Sequence, residues 1–169
     1  MRSAPGDSQQ MSTLYVLIGA QGAGKTAWAQ RHREHLNAVV LASDDVRNEM
    51  VAQGRGDPRD GDQVFAEVER RLRQLLATGQ NVILDATHWQ RRYRRYALEA
   101  AHAYGYRTVA VWFDLPLEVI QARNAGRRDT AWGYRAEDSA FVARVYAGLE
   151  PPGADEFAEI WRISHGGES

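Results

Sequence analysis

Residues 14–26 read LYVLIGAQGAGKT, an apolar run followed by a glycine-rich turn. The run LYVLI is rich in β-branched and aliphatic side chains and is bounded by Gly19. This pattern is typical of a strand that is buried on both faces of a parallel sheet. Residues 24–35, after the turn, are predicted to form a helix. The stretch therefore predicts a strand that leads through a tight turn into a helix.

The turn itself, residues 19–26, fits the pattern G-x-x-x-x-G-K-[ST], which is the P-loop. Its glycines let the backbone wrap around phosphate oxygens, and the helix that follows presents the positive end of its dipole to the same anion. Lys25 can reach the β- and γ-phosphates, and the Thr26 hydroxyl can ligate Mg²⁺. Lys25 is also the only lysine among the 21 basic residues. We therefore predict a site for ATP (or another nucleoside triphosphate) and Mg²⁺, formed by Gly22, Ala23, Gly24, Lys25, Thr26 and Ala27.

Length and composition are those of one ordinary globular domain. The 169 residues are 44% hydrophobic, carry a formal net charge of -1 and include no cysteine. A uniformly basic surface, a disulfide framework, a cysteine-based zinc site and a thiol nucleophile are thereby excluded. No apolar run approaches the ~18 residues of a membrane helix, and the N-terminus lacks a hydrophobic signal region. We expect a flexible leader over 1–11, a single domain over 12–169 and a cytoplasmic location, with no membrane contact.

Short apolar runs alternate with helical patterns along the rest of the chain. Strands are predicted at 14–19, 38–43, 81–86, 108–115 and 157–163, and helices at 24–35, 44–53, 63–78, 90–104, 116–125 and 136–148. Such alternation requires a parallel sheet with helices on both faces. The sequence thus predicts a three-layer α/β fold of the P-loop NTPase type, with a parallel five-stranded sheet flanked by helices and an arginine-rich lid.

Acidic and basic residues follow the second predicted strand in the sequence SDDVR, residues 43–47. Ligands of open α/β sheets bind beyond the carboxyl ends of the strands, so Asp44 is expected at the same mouth as the P-loop. A carboxylate there can accept the proton of an attacking hydroxyl. Arg47, one helical turn further on, can hold a substrate phosphate bidentately. Asp45 is the less favoured base. We expect Asp44 to cap the helix as well, and the purely structural alternative is that it does only this while Arg47 is solvated.

The third predicted strand ends in ILDAT, residues 83–87, where Asp85 is well placed to hold Mg²⁺ directly or through water. No acidic residue follows Asp85, whereas motor ATPases usually have one there to activate water. Without a second lysine, the chain also lacks the N-K-x-D segment with which GTPases read guanine. These features favour phosphoryl transfer to a substrate over hydrolysis, although Asp85 can also be no more than a polar strand end.

Two segments are rich in arginine. The segment RNAGRRD, residues 123–129, ends a helix and is typical of a lid that closes over ATP, with a solvated basic helix end as the alternative. The segment HWQRRYRRY, residues 88–96, interleaves four arginines with three aromatic residues. The arginines can neutralise phosphates and the aromatic rings can stack on bases. Alternatively, the rings pack in the core while the arginines are solvated.

The order GAQGAGKT, SDDVR, VILDATH followed by Arg94, and ARNAGRR resembles the P-loop polynucleotide 5′-hydroxyl kinase family over residues 13–163. The resemblance implies that Lys25 and Thr26 bind ATP–Mg²⁺, that Asp44 is the general base and that Arg47 holds the phosphate of the acceptor. It also implies a nucleic-acid 5′ end as the partner.

The same resemblance implies further site residues. Arg127 would contact the phosphates of the donor and Arg123 would lie near the nucleotide. Arg94 would lie near the acceptor site or brace it. Thr87 and His88, in the family motif D-x-T-[NH], would complete the acceptor side, where the family usually has Asn at the position of His88.

Three functions remain open at this point. The first is an ATP-dependent kinase of the 5′-hydroxyl ends of DNA or RNA. The second keeps the same site but phosphorylates a nucleoside, a sugar or another small metabolite. The third is a nucleotide-gated interaction module that transfers nothing. The sequence does not fix the oligomeric state.

Overall fold

Short apolar strands form one sheet in this structure, a computed structural model that describes residues 11–126 and 139–164. They are β1 (Thr13–Ile18), β2 (Ala38–Ala42), β3 (Asn81–Asp85), β4 (Arg107–Asp114) and β5 (Glu159–Ser164). All neighbours pair in parallel, in the order β2-β3-β1-β4-β5. Residues 1–10 of the predicted leader lie outside the described residues.

The helices lie on both faces of this sheet. They are α1 (Lys25–His32), α2 (Ser43–Gln53), α3 (Gly61–Ala77), α4 (Arg91–Ala103), α5 (Leu117–Asn124) and α6 (Ser139–Gly148). None of the described helices combines the length and the apolar character that crossing a membrane requires.

Alternate residues of β1 belong to two different cores, because successive side chains of a strand point to opposite faces. Leu14, Val16 and Ile18 pack with residues of α2, α3 and α4, whereas Tyr15 and Leu17 pack with residues of α1, α5 and α6. The sheet is thus buried on both sides, and the prediction of three layers around a five-stranded parallel sheet is confirmed.

The first helix is shorter than the sequence pattern predicts. It ends at His32 rather than at residue 35. Asn37 has a φ of 50°, and the N–H of Ala38 donates to the carbonyl of Arg33 at 2.8 Å. The chain therefore leaves the helix early in order to turn back into β2.

Parallel pairing brings three predicted site segments to one edge of the sheet. The glycine turn follows β1, α2 begins directly at the end of β2, and Asp85 is the last residue of β3. Because β3 lies between β1 and β2, the segments that leave these three strands are neighbours.

A buried arginine ties α4 to the segment that leads into β5. Arg94 has no exposed surface, and its Nε and Nη2 donate to the carboxylate of Glu156 at 2.9 and 2.7 Å. Its Nη1 donates to the carbonyls of His88 and Glu150 at 3.0 and 2.9 Å. One guanidinium therefore satisfies acceptors from three parts of the chain.

We expect Arg94→Ala to lower the free energy of unfolding by about 3–5 kcal/mol, because it removes both guanidinium bonds to the nearly buried carboxylate of Glu156 and the bonds to three carbonyls. Urea denaturation at pH 7 measures the change. Arg95→Ala, at the exposed neighbouring position, is the control and should change stability by less than about 0.5 kcal/mol. Equal stabilities of the two variants would contradict this role for Arg94.

Candidate active site

A cavity of about 740 Å³ lies at the carboxyl ends of β1, β2 and β3. The predicted residues that line it are Gly22, Gly24, Lys25, Thr26, Ala27, Asp44, Arg47, Asp85, Thr87, His88 and Arg123. Ala23 and Arg94 do not line it, and Arg127 lies outside the described residues. Lys25 and Asp44, predicted to act on the same phosphoryl group, thus face one space.

Two glycines of the turn adopt backbone conformations that other residues rarely reach. Gly22 has a φ of 92° and Gly24 a φ of 99°. A Cβ on Gly22 would lie 2.5 Å from Nδ2 of Asn124, and one on Gly24 would lie 2.9 Å from Nη1 of Arg123. Both positions therefore require glycine for conformation, and Gly22 requires it for space as well.

The end of α5 holds the glycine turn in place. The buried Asn124 donates from Nδ2 to the carbonyl of Gln21 at 2.8 Å, and Arg123 donates from Nη1 to the carbonyl of Ala23 at 3.0 Å. Arg123 is thus next to the predicted nucleotide site. The bracing role of Asn124 was not predicted, although it lies within the arginine-rich segment singled out above.

Lys25 is almost completely buried inside the turn. Its ammonium donates to the carbonyls of Gly19 and Ala20 at 2.8 and 2.9 Å. Thr87 supports the same turn, since its carbonyl accepts from the N–H of Gly19 at 3.1 Å and its hydroxyl accepts from Nε2 of Gln21 at 3.4 Å. The turn therefore positions a cation where phosphates would bind.

Thr26 and Asp85 form a hydroxyl–carboxylate pair. Thr26 Oγ1 donates to Asp85 Oδ2 at 2.8 Å. Burial raises the pKa of Asp85, while the positive charge of Lys25 and the bond from Thr26 act in the opposite direction. The described residues contain no cluster of three or more His, Asp or Glu that could hold a metal alone. The pair fits Mg²⁺ only together with phosphate oxygens and water, which is how proteins usually bind this ion.

Asp44 and Arg47 lie in contact on α2. Arg47 donates from Nη1 to Asp44 Oδ1 at 3.2 Å and from Nε to the carbonyl of Pro58 at 3.2 Å. The Asp44 side chain is 51% exposed and that of Arg47 is 17% exposed. The carboxylate is therefore accessible from the cavity, while the guanidinium is anchored to the loop before α3.

The expectation that Asp44 caps the helix is wrong. The residue before α2 is Ala42, and no side chain caps this helix end. Asp44 is instead in the first turn, where its charge is favourable to the helix dipole. Asp45 follows it on α2 but does not line the cavity.

His88 lines the cavity, but both of its ring nitrogens are already used. Nδ1 lies 2.9 Å from the carbonyl of Leu17, and Nε2 lies 2.8 Å from the hydroxyl of Tyr96. A carbonyl only accepts, so Nδ1 carries the proton and Nε2 accepts from Tyr96. Burial lowers the pKa of His88 to about 4, so the ring is neutral at pH 7. His88 therefore connects β1 to α4, and its ring is not available to hold an acceptor as predicted.

Of the two places predicted for Arg94, near the acceptor site or bracing it, the structure favours the second. Arg94 does not line the cavity; it is buried against the nearly buried Glu156 and donates to the carbonyl of His88. Several other side chains of the segment 88–96 lie at the cavity, unlike Arg94. Trp89, Arg92, Tyr93 and Tyr96 line the cavity, and Tyr96 also packs against Phe65 and His88.

Several lining residues were not predicted. They come from the loop before α3, from α3 and from α6, and they are Arg59, Gly61, Asp62, Phe65, Phe141 and Val145. The sequence signal of the loop, GRGDPRDGD, indicates only a turn. The bond from Arg47 to the carbonyl of Pro58 ties this loop to α2, and no local sequence pattern predicts it.

Comparisons with known proteins add a family and a fold. A model of the AAA domain family matches residues 14–152. No curated protein matches the sequence significantly. Among solved structures, a sugar kinase from Janibacter sp. HTCC2649 superposes with a TM-score of 0.64 at 20% identity, covering 92% of this chain and 86% of that one.

Two further structures differ in what their proteins act on. The APS kinase CysC of Mycobacterium tuberculosis, in complex with AMPPNP and APS, has a TM-score of 0.61 at 20% identity and covers 94% of this chain and 91% of that one. A chain of the Pnkp1/Rnl/Hen1 RNA repair complex has a TM-score of 0.70 at 25% identity, over 87% of this chain and 47% of that one. The fold is thus that of P-loop kinases.

We expect the burial of neutral His88 to make stability depend on pH. The pKa of His88 lies near 4 in the folded chain and near the ordinary 6.5 in the unfolded chain. The contribution of the neutral ring to the free energy of unfolding is therefore complete above pH 6.5. As the pH falls from 6.5 to 4, only the unfolded chain gains this proton. The free energy of unfolding then falls by on the order of 3 kcal/mol.

Urea denaturation at pH 7 and at pH 4.5 measures this slope. His88→Asn should fold, because Asn tolerates the left-handed backbone found here at a φ of 46°, and it should reduce the slope. His35→Asn, at an exposed position, is the control and should keep it. Parallel pH profiles for the wild type and His88→Asn would exclude this assignment.

Proposed function

The chain belongs to the AAA domain family, and we propose that it is an ATP-dependent kinase that transfers the γ-phosphoryl group of ATP to a hydroxyl group. One observation carries the proposal: the phosphate-binding turn and the carboxylate of Asp44 line the same cavity. A binding protein needs only the turn, whereas phosphoryl transfer to an alcohol also needs a group that accepts the proton of that alcohol.

The donor site consists of the turn and the start of α1. Gly22 and Gly24 let the backbone approach the phosphates closely, and the N-terminus of α1 adds its dipole. Lys25 exchanges bonds to the carbonyls of Gly19 and Ala20 for bonds to phosphate oxygens. Arg127, outside the described residues, is proposed to contact the donor phosphates from the lid.

Thr26 and Asp85 are proposed to hold Mg²⁺ with the nucleotide, Thr26 by its hydroxyl and Asp85 directly or through water. When bound, the ion neutralises charge on the β- and γ-phosphates. The burial that raises the pKa of Asp85 also keeps its carboxylate away from bulk water, so a nearby cation favours its charged form.

The transfer step uses Asp44 on the acceptor side. The acceptor hydroxyl oxygen forms a bond to the γ-phosphorus as the bond from that phosphorus to the bridging oxygen of ADP breaks, and the hydroxyl proton passes to Asp44. Arg47 keeps the carboxylate in place through the 3.2 Å bond and is close enough to the cavity to bind a phosphate of the acceptor. Catalysis is then mainly positioning and charge neutralisation.

For the acceptor we infer a 5′-hydroxyl end of DNA or RNA. The motif order resembles polynucleotide 5′-hydroxyl kinases, and the similarity to a chain of an RNA repair complex reaches 25% identity over 87% of this chain. The cavity lining also combines Arg59 and Arg92 with aromatic rings, a composition that binds phosphates and bases. A small-metabolite kinase is the second candidate, favoured by the near full-length match to a sugar kinase and an APS kinase.

We expect Asp44→Asn to lower kcat by roughly 10²–10⁴-fold, because the amide cannot accept the proton of the attacking hydroxyl. Binding of ATP should change little, since Asp44 lies outside the glycine turn. The assay is transfer of label from γ-labelled ATP to a 5′-hydroxyl oligonucleotide. Asp45→Asn, on the same helix but outside the cavity, is the matched control and should transfer normally. Comparable rates for Asp44→Asn and the wild type would reject Asp44 as the base.

We expect a 5′-hydroxyl oligonucleotide to be phosphorylated faster than nucleosides or sugars at equal concentration. Its apparent affinity should also fall steeply with salt, with a slope of about -0.7 per phosphate contact on single strands. Initial rates over an acceptor panel at two salt concentrations measure both effects. A preference for a metabolite would assign the second candidate, and ATP binding without any transfer would assign the interaction module.

A further inference from the structure

Three side chains of the segment 88–96, here called the stack, contact one another in the cavity wall: Trp89 stacks on Tyr93, and Arg92 makes a cation–π contact with Tyr93. The rings of Trp89 and Tyr93 lie 5.6 Å apart between centroids, at 22° between planes. The guanidinium carbon of Arg92 lies 4.6 Å from the centroid of the Tyr93 ring, and Nη2 of Arg92 donates to the Tyr93 hydroxyl at 2.8 Å. The stack is therefore an indole, a phenol and a guanidinium in contact, and all three line the cavity.

The stack is held from behind by the start of the segment that follows α6. The carbonyl of Trp89 accepts from the N–H of Glu150 at 2.7 Å. A Cβ on Gly148 would lie 2.6 Å from Cζ3 of Trp89, so the indole occupies the space that any other residue would fill. Trp89 is therefore fixed before a ligand arrives, which reduces the ordering cost of binding.

The exposed part of the stack is not explained by packing. Tyr93 is 42% exposed, whereas Tyr96, one helical turn on, packs between Phe65 and His88. A large aromatic side chain left exposed at the wall of a cavity is a common feature of binding surfaces. Both tyrosines line the cavity, but Tyr96 is packed between two rings whereas Tyr93 is left exposed.

We propose that Trp89, Tyr93 and Arg92 form a platform on which the base of the terminal nucleoside of the acceptor stacks while its hydroxyl lies beside Asp44. The inference rests on the proposed function and adds a base-reading subsite to it. Aromatic rings and guanidinium planes both stack on nucleobases, whatever the base, and the positive charge of Arg92 suits the neighbouring phosphates. The platform therefore selects acceptors that carry a base over bare sugars.

The test compares two 5′-hydroxyl oligonucleotides, one with a 5′-terminal thymidine and one with an abasic 5′-terminal residue. For the wild type, the abasic acceptor should have a KM higher by roughly 5- to 150-fold, the equivalent of one base stacked on an aromatic group. Tyr93→Leu should raise the KM of the thymidine acceptor by a similar factor and leave that of the abasic acceptor unchanged. Arg92→Lys, which keeps the charge but not the plane, should lose part of the discrimination.

Arg95→Ala is the matched control, because Arg95 is an exposed arginine of the same helix that does not line the cavity, and it should keep the full discrimination. Thermal unfolding of each variant checks that the fold is retained, as expected for the exposed positions 92, 93 and 95. If both acceptors are phosphorylated with the same KM, or if Tyr93→Leu discriminates like the wild type, the platform is excluded while the kinase proposal stands.

A binding measurement separates the inference from the kinase proposal. Calorimetric titration with thymidine 3′-phosphate, with a non-hydrolysable ATP analogue filling the donor site, should show affinity that Tyr93→Leu weakens by the same factor and Arg95→Ala does not. Binding of this kind without transfer to any oligonucleotide would overturn the proposed acceptor but support the platform. If the protein shows no binding of thymidine 3′-phosphate and no transfer to any oligonucleotide, both the platform and the proposed acceptor are overturned.

Discussion

The hydrogen bonds that hold the glycine turn are the constraint on which the candidate site depends. The turn must keep two left-handed glycines and also enclose an ammonium, and its own carbonyls bind Lys25. Support comes from outside the turn as well, through Asn124 and Thr87. Because these partners come from the end of α5 and from the segment after β3, the turn depends on the packing of α5 and β3 beside β1.

The parallel sheet brings two carboxylates to this turn. The strand order places the ends of β2 and β3 next to the turn, so Asp44 and Asp85 need no long loop to reach it. Asp85 is buried, whereas Asp44 is half-exposed to the cavity. The two carboxylates therefore differ in solvent access, which suits the different tasks proposed for them.

Most of the fold was predictable because its signals are local. Apolar runs, glycine stops and the P-loop spacing predict every strand and helix to within a few residues. The features that were missed involve long-range pairing: the burial of Arg94, the use of both His88 nitrogens and the loop anchored by Arg47. We expected Asp44 to cap α2, but the helix begins at Ser43, directly after β2, so Asp44 lies inside its first turn. A sequence pattern shows which side chains can form hydrogen bonds or ion pairs, but it does not show which distant residue lies next to them in the fold.

Lys25, the only lysine in these 169 residues, is buried against the carbonyls of the turn. Reagents or enzymes that acylate lysine side chains therefore have a single target in this chain, and it is the cation of the phosphate cradle. Acylation would neutralise that charge and place a bulky group in the cradle. The chain thus combines an arginine-rich surface that such chemistry leaves untouched with one position at which modification would block nucleotide binding.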